Sequence, residues 1–93
     1  MEIKVYATLR KIVGGKSIHL KGVSETTVGQ LIEELLTRYP DMQAQLMTRD
    51  GEFHSAFHFL INGRNMYYLN GMETVVTAAD DIRIFPPVGG GLS

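Results

Sequence analysis

One segment of this chain can form a long helix, and it dictates what the rest must do. Thr27 and Gln30 have the spacing of a capping box. Val28, Leu31, Ile32, Leu35, Leu36 and Tyr39 then recur at the 3.6-residue period and form one apolar stripe. Glu33, Glu34 and Arg38 take the wet face, where Glu34 and Arg38 stand i,i+4. Pro40 stops the helix near Tyr39. With no second long helix to pack against, the stripe has to cover one face of a sheet.

The remaining segments supply strands for that sheet. Ile3, Val5 and Ala7 alternate with Glu2, Lys4 and Tyr6, the period of a strand with one buried face. Gly14-Gly15 marks a turn, and the alternation resumes over Ser17-Ile18-His19-Leu20-Lys21, so the two segments read as a β-hairpin with a long connection. After the helix, Asp41 is placed to cap a short second helix through Met47, with Met42 and Leu46 facing inward. Arg49-Asp50-Gly51-Glu52 reads as a turn. Phe57, Phe59 and Ile61 alternate with His58 and Leu60, and Asn62-Gly63 closes that strand in a tight turn. Tyr67-Tyr68-Leu69 reads as a short strand, and Asn70-Gly71 as a further turn. Asp80-Asp81 precedes a last strand, Ile82-Arg83-Ile84-Phe85, with Ile82 and Ile84 toward the core and Phe85 outside. The order β-β-α-(short α)-β-(β)-β is that of an α+β, β-grasp (ubiquitin-like) domain. Its last strand is central, and the C-terminal segment leaves from the end of that strand.

That segment is Pro86-Pro87-Val88-Gly89-Gly90-Gly91-Leu92-Ser93. Glycine loses the most backbone entropy on ordering and has no side chain to bury. The sequence therefore divides into a domain over 1–85 and a flexible tail over 86–93, which Pro86 and Pro87 hold extended. At about 3.3 Å per residue, Pro86 to Gly91 reaches roughly 20 Å. Such a thread suits entry into another protein's active site.

Composition removes many alternatives. The chain has 93 residues, enough for one core but few for a deep enclosed active site. It has no cysteine, which excludes disulfides, thiolate nucleophiles and cysteine-ligated zinc. Its formal net charge of -1 gives no pull toward nucleic acid or anionic membrane. No apolar run approaches a membrane span, and the N-terminus begins as a strand without a signal-peptide pattern. The expectation is a cytoplasmic protein.

Four stretches carry a family resemblance, in the right order and across most of the chain. Tyr6-Ala7-Thr8-Leu9-Arg10-Lys11-Ile12-Val13-Gly14 resembles the first-strand signature of the ubiquitin-like sulfur carriers, in particular the small subunit of molybdopterin synthase. Thr27-Val28-Gly29-Gln30-Leu31-Ile32 resembles the start of that family's helix, and Leu60-Ile61-Asn62-Gly63-Arg64 its strand and turn. Asp81-Ile82-Arg83-Ile84-Phe85-Pro86-Pro87-Val88 resembles its ending, the most specific of the four. Family members finish Pro-Pro-Val, a small residue, Gly-Gly. Gly89 takes the small-residue place here, and Gly90-Gly91 becomes the functional pair.

The resemblance implies a carrier, not an enzyme. An E1-like adenylyltransferase would consume ATP to adenylate the Gly91 carboxylate, and a sulfur donor would convert the acyl-adenylate to a thiocarboxylate. The sulfur would then pass to an acceptor such as a synthase large subunit. The residue types suit this chemistry. A carboxylate is a poor acyl donor, so a good leaving group must be installed first. Glycine passes a narrow channel where a β-carbon at Gly90 or Gly91 would clash. The carrier itself needs no bound cofactor or metal.

Leu92 and Ser93 depart from the pattern, because with them attached Gly91 has no free carboxylate. Three readings stand open. A protease of the JAMM type trims them, they are foreign to the natural chain, or the protein is a degenerate member that binds partners without carrying sulfur. The destination is open too. Molybdopterin synthesis comes first, with thiamine, cysteine or tRNA thiolation, or conjugation to proteins, as rivals. A further rival is a ubiquitin-like binding module whose tail is inert.

The other polar residues read as structural. His54 and His58 are four apart but fall in a loop and a strand, without a third ligand. Glu33 and Glu34 face solvent. A docking patch beside the tail is expected to include Phe85, Phe59, Pro86, Pro87, Val88 and Gly89, with Tyr68, Arg10, Lys11 and Arg64 as possible additions.

Overall fold

The computed structural model describes residues 1–54 and 56–86. Its centre is a five-stranded sheet in the order β2-β1-β7-β4-β5. The strands are β1 (Glu2–Val5), β2 (Ser17–His19), β4 (His58–Ile61), β5 (Arg64–Asn65) and β7 (Ile82–Phe85). β1 and β7 run parallel, and the other neighbours are antiparallel. The β-grasp expectation holds, and β7 is central.

Strand alternation and register together build the core. Ile3 lies opposite Ile18 on one side and Ile82 on the other, and Ile61 is opposite Ile82. Val5, Ile84 and Phe59 form the next row. All of these side chains are buried on one face. Helix α2 (Val28–Arg38) covers that face with Val28, Leu31, Ile32 and Leu35. Thr27 Oγ1 accepts the Gln30 N–H at 3.2 Å and caps α2. The reciprocal half of the capping box is absent, since the Gln30 side chain accepts from Thr26 Oγ1 at 3.0 Å instead. Beyond the helix, a 3₁₀ turn (Pro40–Met42) and α3 (Gln43–Leu46) lower Met42 and Leu46 into the core. Asp41 lies inside the 3₁₀ turn and caps nothing.

Other expectations need correction as well. The first two strands pair as foreseen, but their connection contains a helix, α1 (Thr8–Val13), anchored by buried Leu9. The first strand ends at Val5, and Ala7 is exposed at φ 52°, starting the helix instead of continuing the alternation. Tyr67-Tyr68-Leu69 is not a strand. The pairing residues are Arg64–Asn65, and Met66–Tyr68 form a 3₁₀ turn because Asn65 Oδ1 captures the Tyr67 N–H at 3.0 Å. A second sheet, β3 (Glu25–Thr27) with β6 (Val75–Thr77), was not anticipated. Its signal is a pair of short β-branched runs, weak until tertiary contact joins them.

Candidate functional site

The outer face of the sheet, opposite α2, holds an aromatic and cationic cluster where β7 ends. Phe85 is the last residue of β7 and points outward, as expected from alternation. Tyr6 follows β1, which runs parallel to β7, so the two rings meet. They stack at 4.1 Å between centroids with planes 10° apart. Both are partly exposed.

Charged side chains hold Tyr6 in place beside Phe85. The Arg10 guanidinium lies 4.8 Å above the Tyr6 ring centroid, while its Nε donates to the Val5 carbonyl at 2.9 Å. Arg83 donates from one terminal nitrogen to the Tyr6 hydroxyl at 3.0 Å and from Nε to both Asp81 carboxylate oxygens. The Asp81 hydrogen bond and charge hold the Arg83 guanidinium above its ordinary pKa, with the Tyr6 hydroxyl adding to the same effect. Lys4 Nζ lies 3.8 Å from Asp81. A nearby pin fixes the approach to β7. Asn62 Nδ2 donates to Asp80 at 3.0 Å, and Asn62 Oδ1 accepts the Asp81 N–H at 2.9 Å. The Asn62 bond, with the Thr77 N–H at 2.7 Å, lowers the Asp80 carboxyl pKa.

The expected patch is therefore brought together only in part. Phe85 and Arg10 belong to it. Phe59 does not. It is 0% exposed, on the core face of β4 opposite Ile84, and cannot touch a partner. One residue of register places it on the wrong side of the sheet from Phe85. Lys11 is exposed on α1, next to Arg10. Arg64 and Tyr68 lie on and after β5, two strands from β7, and Tyr68 is 80% exposed there. Pro86 is buried, so the body includes it. Pro87, Val88, Gly89, Gly90, Gly91, Leu92 and Ser93 lie outside the described residues.

Sequence reasoning missed Tyr6 and Arg83 as members of this cluster. Both carry a signal, since each is an outward position of an alternating strand. Only the parallel β1–β7 pairing shows that they meet.

His54 and His58 each engage a neighbouring backbone or side-chain amide. His54 Nδ1 accepts the Ala56 N–H at 3.2 Å, and His58 Nδ1 lies 3.3 Å from the Asn65 amide. Among the described residues no three potential ligands cluster for a metal ion. No described helix is long and apolar enough to cross a membrane.

The ThiS family model matches residues 3–91. The chain belongs to that family. Among its relatives, small archaeal modifier protein 3 of Haloferax volcanii is 36% identical over 91 residues, 98% of each chain. A relative from Archaeoglobus fulgidus that bears a sulfur-carrier name is 38% identical over 65 residues, 70% of this chain and 74% of its own. The crystal structure of SAMP1 from Haloferax volcanii matches with a TM-score of 0.80 at 27% identity, covering 97% of each chain. The protein is thus a ubiquitin-like sulfur carrier or modifier of the ThiS family, and not itself an enzyme.

Proposed function

We propose that the chain delivers sulfur through the carboxylate of Gly91, exposed by removal of Leu92-Ser93. An E1-like adenylyltransferase joins that carboxylate to AMP from ATP, releasing pyrophosphate. The terminal sulfur of a persulfide donor then attacks the acyl carbon and displaces AMP, and a second thiol cleaves the resulting acyl disulfide, forming a disulfide with the donor's sulfur and freeing the thiocarboxylate. The observation that carries this reading is that the family match runs to Gly91 and stops there. The Tyr6–Phe85 stack supports it, because a stacked, partly exposed aromatic pair beside arginines where β7 ends has the composition of a protein-docking hot spot. Pro87, Val88, Gly89 and Gly90 would then be the stretch threaded into the partner, and Gly91 the group worked on. A JAMM-type protease is the proposed trimming activity. Molybdopterin synthesis is the proposed destination, with the synthase large subunit as sulfur acceptor, and the alternative thiolation pathways share every step up to transfer.

The test uses the chain ending at Gly91 with Mg·ATP and the host's E1-like enzyme. Pyrophosphate release and a mass gain of one adenylate are expected, and the 93-residue form should give neither. Absence of both from the trimmed form would leave only a binding module.

The modifier names of its relatives favour a second use of the same activated end, transfer to lysine amines. Trypsin would cut after Arg83 and leave Ile84–Gly91 as the remnant on a modified lysine. A search of host peptides for that eight-residue mass decides it.

A further inference from the structure

The charges of this chain are unevenly placed. Residues 1–21 hold Lys4, Arg10, Lys11, Lys16 and Lys21 against Glu2 alone, a net +4. The whole chain carries -1, so residues 22–93 carry -5. The fold gathers the positive share along one border, because these residues build β1, α1 and β2, and β2 is an edge of the main sheet. Lys11, Lys16 and Lys21 are exposed, and among the described residues none pairs with a carboxylate. Glu2, the one acid here, lies 3.6 Å from His19.

The backbone of this border is open. The Val5 N–H donates to the Lys16 carbonyl at 3.0 Å, and the Leu20 N–H to the Met1 carbonyl at 2.8 Å. The Met1 ammonium donates to the Leu20 carbonyl at 2.9 Å. In an antiparallel ladder bonded and non-bonded pairs alternate. Lys16, Ile18 and Leu20 therefore spend their backbone groups on β1, and Ser17 and His19 turn theirs away from it. No described strand lies on that side. Two N–H and two C=O groups in extended order are a template for one more strand.

We propose that this edge receives an extended acidic segment of a partner protein by strand addition. Charge selects the occupant. A second copy of the same edge would set lysines against lysines, which is repulsive across a strand pair. A nucleic acid would run past this border onto a body carrying -5. A short acidic strand meets neither obstacle. Lys16 stands just before β2 and Lys21 two residues after it, so the fitting segment is a short strand of about three to five residues with carboxylates toward both ends. The inference is independent of what happens at Gly91.

The experiment titrates the isotope-labelled 93-residue chain with an acetylated nine-residue peptide alternating glutamate with valine and threonine, followed by amide NMR. The Ser17 and His19 amides should shift most and exchange with solvent more slowly. Affinity should fall about tenfold or more between 50 and 500 mM salt. A Lys16→Glu/Lys21→Glu double variant should lose binding about tenfold with an unchanged melting curve. Ser17→Pro removes an N–H that serves no native bond, at the first residue of a strand, and should abolish the shifts while the fold persists. Unmoved Ser17 and His19 amides, binding indifferent to salt or to the lysine reversals, or tighter binding of a single-stranded oligonucleotide of equal charge would each overturn the proposal.

Discussion

Ala7 shows how a single residue can be set against its own preference. It sits at φ 52° and ψ -129°, a region that glycine tolerates and alanine does not. The Leu9 N–H closes the turn onto the Tyr6 carbonyl at 3.2 Å. This turn lets α1 start directly after β1 and leaves Tyr6 beside Phe85. The strain is of order 1–3 kcal/mol, and glycine's extra unfolded-state freedom returns about half to one of it. Ala7→Gly should therefore stabilise the protein by about 1 kcal/mol, read from a denaturant melt. Asp80 makes a second residue-scale case. Its carboxyl pKa is depressed below the ordinary 3.8, chiefly by the Asn62 amide and the Thr77 N–H. A depressed folded-state pKa contributes stability in full above the unfolded value and loses it as pH falls through the folded value. Asp80→Asn should thus be less stable than the parent at pH 7, with the gap narrowing below about pH 4 in melts taken across the range.

At the scale of elements, agreement with the sequence tracks the strength of the local signal. The α2 stripe, its Thr27 cap and its stop at Pro40 needed nothing beyond the chain itself. Thr27→Ala should cost about 1 kcal/mol, since the Gln30 N–H keeps no other partner at the helix start. A thermal melt with far-UV circular dichroism measures it. The aromatic β preference of Tyr67 and Tyr68 misled, because Asn65 offered the backbone a side-chain bond and turned it into a 3₁₀ step. α1 escaped notice because six residues are too few to show a period. Leu9, Ile12 and Val13 do have helical spacing, but the same residues suit a loop returning to a strand. β3 and β6 lie 48 residues apart in the chain between Thr27 and Val75, and a short strand is visible only to its partner.

For the whole molecule, the two faces of the central sheet have different work. The core face carries stability, and the outer face at the end of β7 is where the proposed function puts recognition. Phe59 and Phe85 test that division, for they are close in space on β4 and β7 but point opposite ways. Phe59→Ala should cost about 3–5 kcal/mol, as for a large aromatic lost from a closed core. Phe85→Ala should cost no more than about 1–2 kcal/mol, the stacking with Tyr6 and some partly buried area. Yet Phe85→Ala in the chain ending at Gly91 should lower kcat/KM for adenylation about tenfold or more, mostly through KM. Steady-state pyrophosphate release beside a denaturant melt separates the two effects.

Short-range patterning settled the helix, the alternating strands, the turn at Asn62-Gly63 and the family likeness of the ending, because each is a relation among residues a few places apart. Which outward residues share a site was decided only by the fold. Tyr6 and Arg83 are 77 positions apart, and a hydrogen bond joins them because β1 and β7 lie parallel. Phe59 looked like a surface aromatic until its register placed it opposite Ile84. Alternation tells that successive side chains take opposite faces, but not which face meets the helix, and strand pairing across long loops is where that choice is made.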